Sequence, residues 1–274
     1  MDLSNTLEIA SCTDPGMVRS HNEDSVAADP VNGLAVLADG MGGYNAGEVA
    51  SGMATTVIAT EMAQVLAKIQ PYEQEEGEDK VVAERLLREQ ILKANTSIYQ
   101  ASQSQAQYAG MGTTLVVCLF YDNRIMVAHI GDSRLYRLRG EEFTQVTRDH
   151  SLLQEQIDSG LITLEQAKFA QHKNLVTRAL GIDPAVEPEI HEHRAQSGDI
   201  YLLCSDGLCD MVSDEDIGMT VQALGANLNL AAQQLVQMAN DNGGRDNVSV
   251  ILVRVLREYP AVRGVMAKFF AWLR

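Results

Sequence analysis

Thr113 to Leu138 reads TTLVVCLFYDNRIMVAHIGDSRLYRL, and the grouping inside it decides the fold class. Thr113 to Tyr121 and Arg124 to Ile130 are short runs rich in Val, Ile and Leu, the pattern of buried strands, with only Asp122-Asn123 between them. A link that short suits an antiparallel hairpin and leaves no room for a crossover helix. Gly131 to Ser133 leads on to Arg134 to Leu138, and Arg139 to Glu141 to Phe143 to Val146, so the stretch is expected to form an antiparallel meander. Upstream, Leu7 to Thr13 and Gly33 to Asp39 read as strands, then Ala46 to Ile69 and Val81 to Gln105 carry apolar residues at helical spacing. Downstream, short helices are expected at His150 to Ser159 and Thr163 to Gln171, and strands at Val186 to His193 and Ile200 to Ser205. Helices at Ser213 to Leu224 and Leu230 to Asn240, a closing strand at Val248 to Leu256 and a last helix at Ala261 to Leu273 complete the chain. Strands and helices that group rather than alternate point to an α+β layered domain with mostly antiparallel sheets, not a doubly wound parallel one.

Apolar runs repeatedly meet an aspartate. Gly33 to Asp39, Ile125 to Asp132 and Ile200 to Asp206 end on one, and Asp246 opens the run Val248 to Val255. Each alone is most simply a turn former, but a sheet could gather all of them at strand tips. Oxygen ligands without Cys or His clusters suit magnesium or manganese rather than zinc. Gly40 and Gly207 follow two of the acids directly, and lacking a Cβ they would let the main chain approach an ion.

Composition narrows the partners. The formal net charge of −16 argues against nucleic acid, which needs a positive footprint, and welcomes divalent cations. Cys12, Cys118, Cys204 and Cys209 lack CxxC spacing and are expected as free thiols in a reducing compartment. The start MDLSNTLEIA has no basic, apolar leader, and no run reaches the roughly 18 consecutive apolar residues of a membrane span, so a cytoplasmic location is expected. Pro71 to Lys80 reads as a solvated acidic turn rather than a linker, so one domain is expected.

Six elements occur in order: Val18-Arg19-Ser-His-Asn22-Glu23-Asp24, Asp39-Gly40-Met-Gly-Gly43, Gly110-Met-Gly112-Thr113-Thr114, Gly131-Asp132-Ser133-Arg134, Ser205-Asp206-Gly207 and Gly244-Arg245-Asp246-Asn247. Together they resemble the metal-dependent protein phosphatases of type 2C, in a compact bacterial-like form, from about Leu7 to Val255. The resemblance implies a four-layer αββα sandwich, two mostly antiparallel sheets flanked by helix pairs. It implies hydrolysis of phosphoserine and phosphothreonine in proteins by a water that two Mn2+ or Mg2+ ions activate. Asp39 would bridge both ions with the Gly40 carbonyl beside it, Asp206 and Asp246 would hold the second, and Asp132 would share a third, weaker ion with Asp206. Arg19 would bind the phosphate, and Asp24, with Glu23 next to it, would orient the water. It further implies phosphorylated protein substrates, an opposing Ser/Thr kinase and a monomer.

The chain departs from that family after Gly43. A histidine is common there as the acid for the leaving alkoxide, whereas this chain reads Tyr44-Asn45, leaving Tyr44 or a water as candidate donor. His21 and His129 read as polar residues of a turn and a strand, and Asp149-His150-Ser151 is no triad, because chain neighbours cannot converge on one proton path. Residues 147–187 resemble the family's flap over the site. Residues 1–258 are then the catalytic domain, and Tyr259 to Arg274 is an amphipathic, basic helix suited to packing on its own domain, to a membrane surface or to a partner. The alternative function is a pseudophosphatase that binds phosphoproteins; the intact aspartates argue against it.

Overall fold

The structure, a computed structural model, describes residues 2–43, 46–73, 81–167 and 175–261. In chain order these form β1 (Leu7–Asp14), β2 (Asp24–Asp29), β3 (Leu34–Met41), α1 (Ala46–Leu66), α2 (Val82–Ser104), β4 (Gly112–Thr113), β5 (Leu115–Tyr121) and β6 (Arg124–Ile130). There follow β7 (Arg134–Arg139), β8 (Glu142–Gln145), α3 (Leu152–Asp158), α4 (Leu164–Ala167), β9 (Glu189–Arg194) and β10 (Ile200–Cys204). The last are α5 (Asp206–Cys209), α6 (Asp214–Leu224), α7 (Leu228–Asp241) and β11 (Val248–Val255). One sheet runs β1-β11-β10-β7-β8; the other runs β2-β3-β5-β6-β9, with β4 beside β3. Neighbouring strands pair antiparallel, as expected from the grouping.

Side-chain alternation builds the layers. Along β5, Leu115, Val117, Leu119 and Tyr121 pack outward with Ile58 and Met62 of α1 and Leu87 and Ile91 of α2. Val116, Cys118 and Phe120 point the other way, with Tyr201, Leu203 and Ile251 of the facing sheet. Leu202 and Val250 turn outward again, onto Ile217 and Val221 of α6 and Leu235 of α7. Helix pair, sheet, sheet, helix pair is the expected four-layer sandwich, with apolar residues on both faces of the central strands. By length and composition α1 could cross a membrane, but Ala46, Ala50, Ala54, Ile58 and Met62 form a stripe buried on β3 and α2.

Four expectations change. The Asp122-Asn123 link is a tight hairpin, both residues having positive φ (47° and 55°), but the meander stops after β6. β7 pairs with β10 and β8 in the other sheet, so Gly131 to Ser133 is a crossover between sheets that carries Asp132 into the gap. The run Thr113 to Tyr121 is broken at Thr114: Thr113 pairs with Gly40, and β5 starts at Leu115. A strand missing from the sequence pattern, β2, lies at the sheet edge against β3; its residues are half-buried or exposed and carry no continuous apolar run. Tyr259 also belongs to the body of the fold. It is buried, its N donates to Asn123 Oδ1 at 2.5 Å and its hydroxyl to Arg124 O at 3.1 Å. The expected boundary at 258/259 therefore cuts a docked segment, and the expected last helix lies, beyond Ala261, outside the described residues.

Candidate active site

The same alternation assembles the acids. On β3, Ala35 and Leu37 face the gap between sheets, so Asp39 faces it too, and β2 sets Asp24 directly opposite Asp39. From the facing sheet, Tyr201 and Leu203 predict the same direction for Ser205, and Ile251 and Val253 for Ser249. Ser205 Oγ donates to Asp24 Oδ2 at 2.9 Å and accepts from Ser249 N at 3.0 Å. The other Asp24 oxygen, Oδ1, is buried with no hydrogen-bond partner among the described residues. Asp39 is held by its backbone: its N donates to Thr114 Oγ1 at 3.1 Å, and its O accepts from Thr114 N at 2.8 Å and Thr113 Oγ1 at 2.9 Å. Asp206 opens the single turn α5 straight after Ser205.

Asp246 and Arg19 form the outer rim. Arg19 Nη2 donates to Asp246 Oδ2 at 2.7 Å, with 53% of the arginine side chain exposed, so the guanidinium stays open to an incoming anion. Asn247 fixes the loop beneath: its Oδ1 accepts from Glu23 N at 2.7 Å, and its Nδ2 donates to Pro15 O and His21 O at 3.0 and 2.8 Å. Among the described residues Glu23 makes no bond to the acid cluster; its carboxylate accepts from Gly47 N at the start of α1, a favourable place for negative charge. Gly40 serves that same helix start. A Cβ on it would lie 2.1 Å from Gly47 O and 2.5 Å from Glu23 O, so close packing of α1 on β3 demands glycine whether or not an ion is bound. Tyr44 lies outside the described residues.

The electrostatics show that the acids share one site. Burial first, then Asp24, Asp206, Asp132 and Asp246 together, push the Asp39 carboxyl well above the usual range. Asp206 is pushed up by burial and by Asp132, Asp210, Asp246 and Asp24. Burial raises Asp24 to about 6 against the pull of the nearby Ser249 and Ser205 hydroxyls, and raises Asp132 to about 6 with Asp149 adding to it. Carboxylates placed this closely need cations to be ionised together, and an all-oxygen donor set with the bare Asp24 Oδ1 fits hard divalent ions. All five aspartates singled out from the sequence thus lie near enough for the other four to act on the charge of Asp39. Ser205, Ser249, Asn247, Thr114 and Asp210 were not foreseen, though Ser205 and Asn247 adjoin two of the acids and strand alternation would have pointed Ser205 inward.

Asp149-His150-Ser151 is no triad, as expected. Asp149 accepts a fork from Arg134, Nε at 3.0 Å and Nη2 at 2.7 Å; His150 holds Gly131; Ser151 caps α3 by accepting from Gln154 N at 3.2 Å.

Residues 18–252 match the family model for protein phosphatase 2C. The chain is 40% identical over 250 residues to the serine/threonine protein phosphatase PstP of Mycobacterium tuberculosis, covering 91% of this chain but only 45% of PstP. It is 38% identical over 258 residues to the protein phosphatase PhpP of Streptococcus pneumoniae, covering 92% of this chain and 99% of PhpP. A crystal structure of the PstP catalytic domain in complex with two manganese ions superposes with a TM-score of 0.78 at 39% identity, over 92% of this chain and 99% of that one. Fold, motif order and these likenesses agree, and the chain belongs to the protein phosphatase 2C family.

Proposed function

We propose that the chain removes phosphate from phosphoserine and phosphothreonine in proteins, using two or three Mn2+ or Mg2+ ions. What carries this is that Asp24, Asp132, Asp206 and Asp246 all act on the charge of the buried Asp39, with Arg19 bonded to Asp246 at the rim. The manganese ions bound to PstP support the choice of metal. Asp39 would serve both core ions, the Gly40 carbonyl would complete the sphere of one, Asp206 and Asp246 would hold the other, and Asp132 with Asp206 a third. When bound, such ions clamp phosphate oxygens and lower the pKa of a coordinated water, which supplies a nucleophile near neutral pH.

The chain's own residues do the rest. Arg19 is a forked, permanently charged donor, and a phosphate dianion at the rim would compete with Asp246 for it. Asp24, gripped on Oδ2 by Ser205, keeps Oδ1 to accept a proton or orient a water. Thr113 and Thr114 stop the Asp39 backbone from recoiling from its neighbours. A pseudophosphatase would have no need to keep five crowded carboxylates. Phosphorylated proteins would be the substrates and a Ser/Thr kinase the opposing activity, in the cytoplasm. The test is phosphate release from phosphothreonine and phosphoserine peptides across a manganese titration: activity that appears with manganese and vanishes with chelator is expected, and no release at any manganese concentration would reject the reading.

A further inference from the structure

The segment that roots the flap is stitched residue by residue to the loop carrying Asp132. Val146 N donates to Leu135 O at 2.7 Å, and Thr147 Oγ1 accepts from Leu135 N at 2.9 Å. Arg148 O accepts from His129 Nε2 at 2.8 Å, and Asp149 takes the Arg134 fork. His150 ends the series on Gly131. Its main-chain N donates to Gly131 O at 2.9 Å, and its ring Nδ1 accepts from Gly131 N at 3.2 Å. Its carbonyl turns away and accepts from Thr177 N at 2.8 Å, in the far arm of the flap.

Gly131 needs such a hold. It sits at φ +102°, and a Cβ there would lie 2.7 Å from the Thr114 side chain, so the position demands the residue whose backbone is otherwise freest. Asp132 follows directly, and the direction in which its carboxylate leaves the crossover is set by how Gly131 is fixed. Thr114 and His150 both contact Gly131 itself.

His129, His150 and Glu189 bring ligand atoms within 4.8 Å of one another, which invites a metal, but the geometry refuses one. The two imidazoles are stacked, centroids 4.7 Å apart and planes 20° apart. A ring nitrogen directs its lone pair in the ring plane, and near-parallel stacked planes offer no common point for an ion. The nitrogens are also committed. Arg148 O can only accept, so His129 carries its proton on Nε2; Gly131 N can only donate, so His150 is bare on Nδ1 and turns Nε2–H toward Glu189 Oε2, 3.3 Å away. Burial holds both rings below the usual histidine pKa, which keeps that arrangement neutral.

We propose that His150 is a positioning residue for Asp132: its bare Nδ1, steered by Glu189 and the stacked His129, grips Gly131 and sets where Asp132 presents its carboxylate. The proposal rests on the phosphatase reading above, in which Asp132 serves the third ion.

Two substitutions separate the ring's two ends. His150→Asn places an amide oxygen near the old Nδ1 and keeps an acceptor for Gly131; His150→Gln reaches toward the old Nε2 and leaves Gly131 N–H without one. In phosphopeptide hydrolysis, His150→Gln raises the manganese concentration for half-maximal rate by roughly 10–100-fold, toward that of Asp132→Ala, while His150→Asn stays near wild type. A role in packing alone would lower the melting temperature of both and leave both manganese curves unmoved, which overturns the proposal. Should either variant fail to fold, imidazole 15N shifts of the wild-type protein near neutral pH decide: the Nε2–H tautomer of His150 upholds the proposal and an Nδ1–H or charged ring refutes it. That readout needs no turnover, so a wild type inactive on every phosphopeptide would fell the phosphatase reading while the tautomer still judged His150.

Discussion

Asp132→Asn, in chelator, makes the protein more stable while impairing its use of metal. Asp132 is 7% exposed, and burial with Asp149 nearby raises it from 3.8 to about 6. A carboxyl whose folded-state pKa is raised favours folding only while protonated, so its ionisation costs nothing below pH 3.8, more as pH climbs toward about 6, and its full amount above that. The rise from 3.8 to about 6 corresponds to roughly 3 kcal/mol at pH 8, and about half of that at pH 5. Asparagine keeps the shape and sheds the charge but still has to be desolvated, so roughly 3 kcal/mol is a ceiling, equivalent to about 6–12 °C in melting temperature for a domain of this size. The assay is thermal unfolding of both proteins in EDTA at pH 5 and pH 8. The variant should melt higher, by more at pH 8 than at pH 5, and added manganese should narrow the difference because wild type gains more from the ion. A variant that melts lower in chelator, or by a margin independent of pH, would refute the crowded-acid account of this residue.

Arg19→Ala should lower kcat/KM for a phosphopeptide by about 10–100-fold through the lost charged hydrogen bonds, mainly in KM, and change the melting temperature little because the pair with Asp246 is exposed; kinetics and calorimetry on one preparation check both. Ser205→Ala leaves Asp24 Oδ2 and Ser249 N without their partner and should destabilise the protein by about 1–3 kcal/mol in urea unfolding, opposite in sign to Asp132→Asn. Gly40→Ala drives a methyl group into two backbone carbonyls and should cost about 1–3 kcal/mol or more, displacing α1 from β3, with urea unfolding again as the readout.

The sequence carried the acids further than it carried their supports. Asp39, Asp132, Asp206 and Asp246 are visible because each adjoins a run apolar enough to be recognised as a buried strand. Asp24 was reached only through motif resemblance, since β2 is an edge strand whose residues are half-buried or exposed and whose period is weak. The Gly131 to Ser133 link looked like a hairpin because length alone does not distinguish a turn from a crossover; β6 and β7 are both largely buried, and nothing local says that they belong to different sheets. Glycine at 40 reads from the sequence as room for an ion; that its missing Cβ also faces the first turn of α1 is a contact between segments that no spacing rule reveals. Ser205 and Ser249 come from strands paired with each other in one sheet yet serve an aspartate of the other, so only the packed sandwich shows what they do.

The most direct test of the account is phosphate release from a phosphothreonine peptide by wild type and by Asp39→Asn, titrated with manganese, with folding of both confirmed by circular dichroism. The wild type should show saturable manganese-dependent release that EDTA abolishes, and Asp39→Asn should stay folded and lose at least about 100-fold, the removed carboxylate being the one that would serve both core ions. Unchanged manganese-dependent release by a folded Asp39→Asn protein would contradict the account.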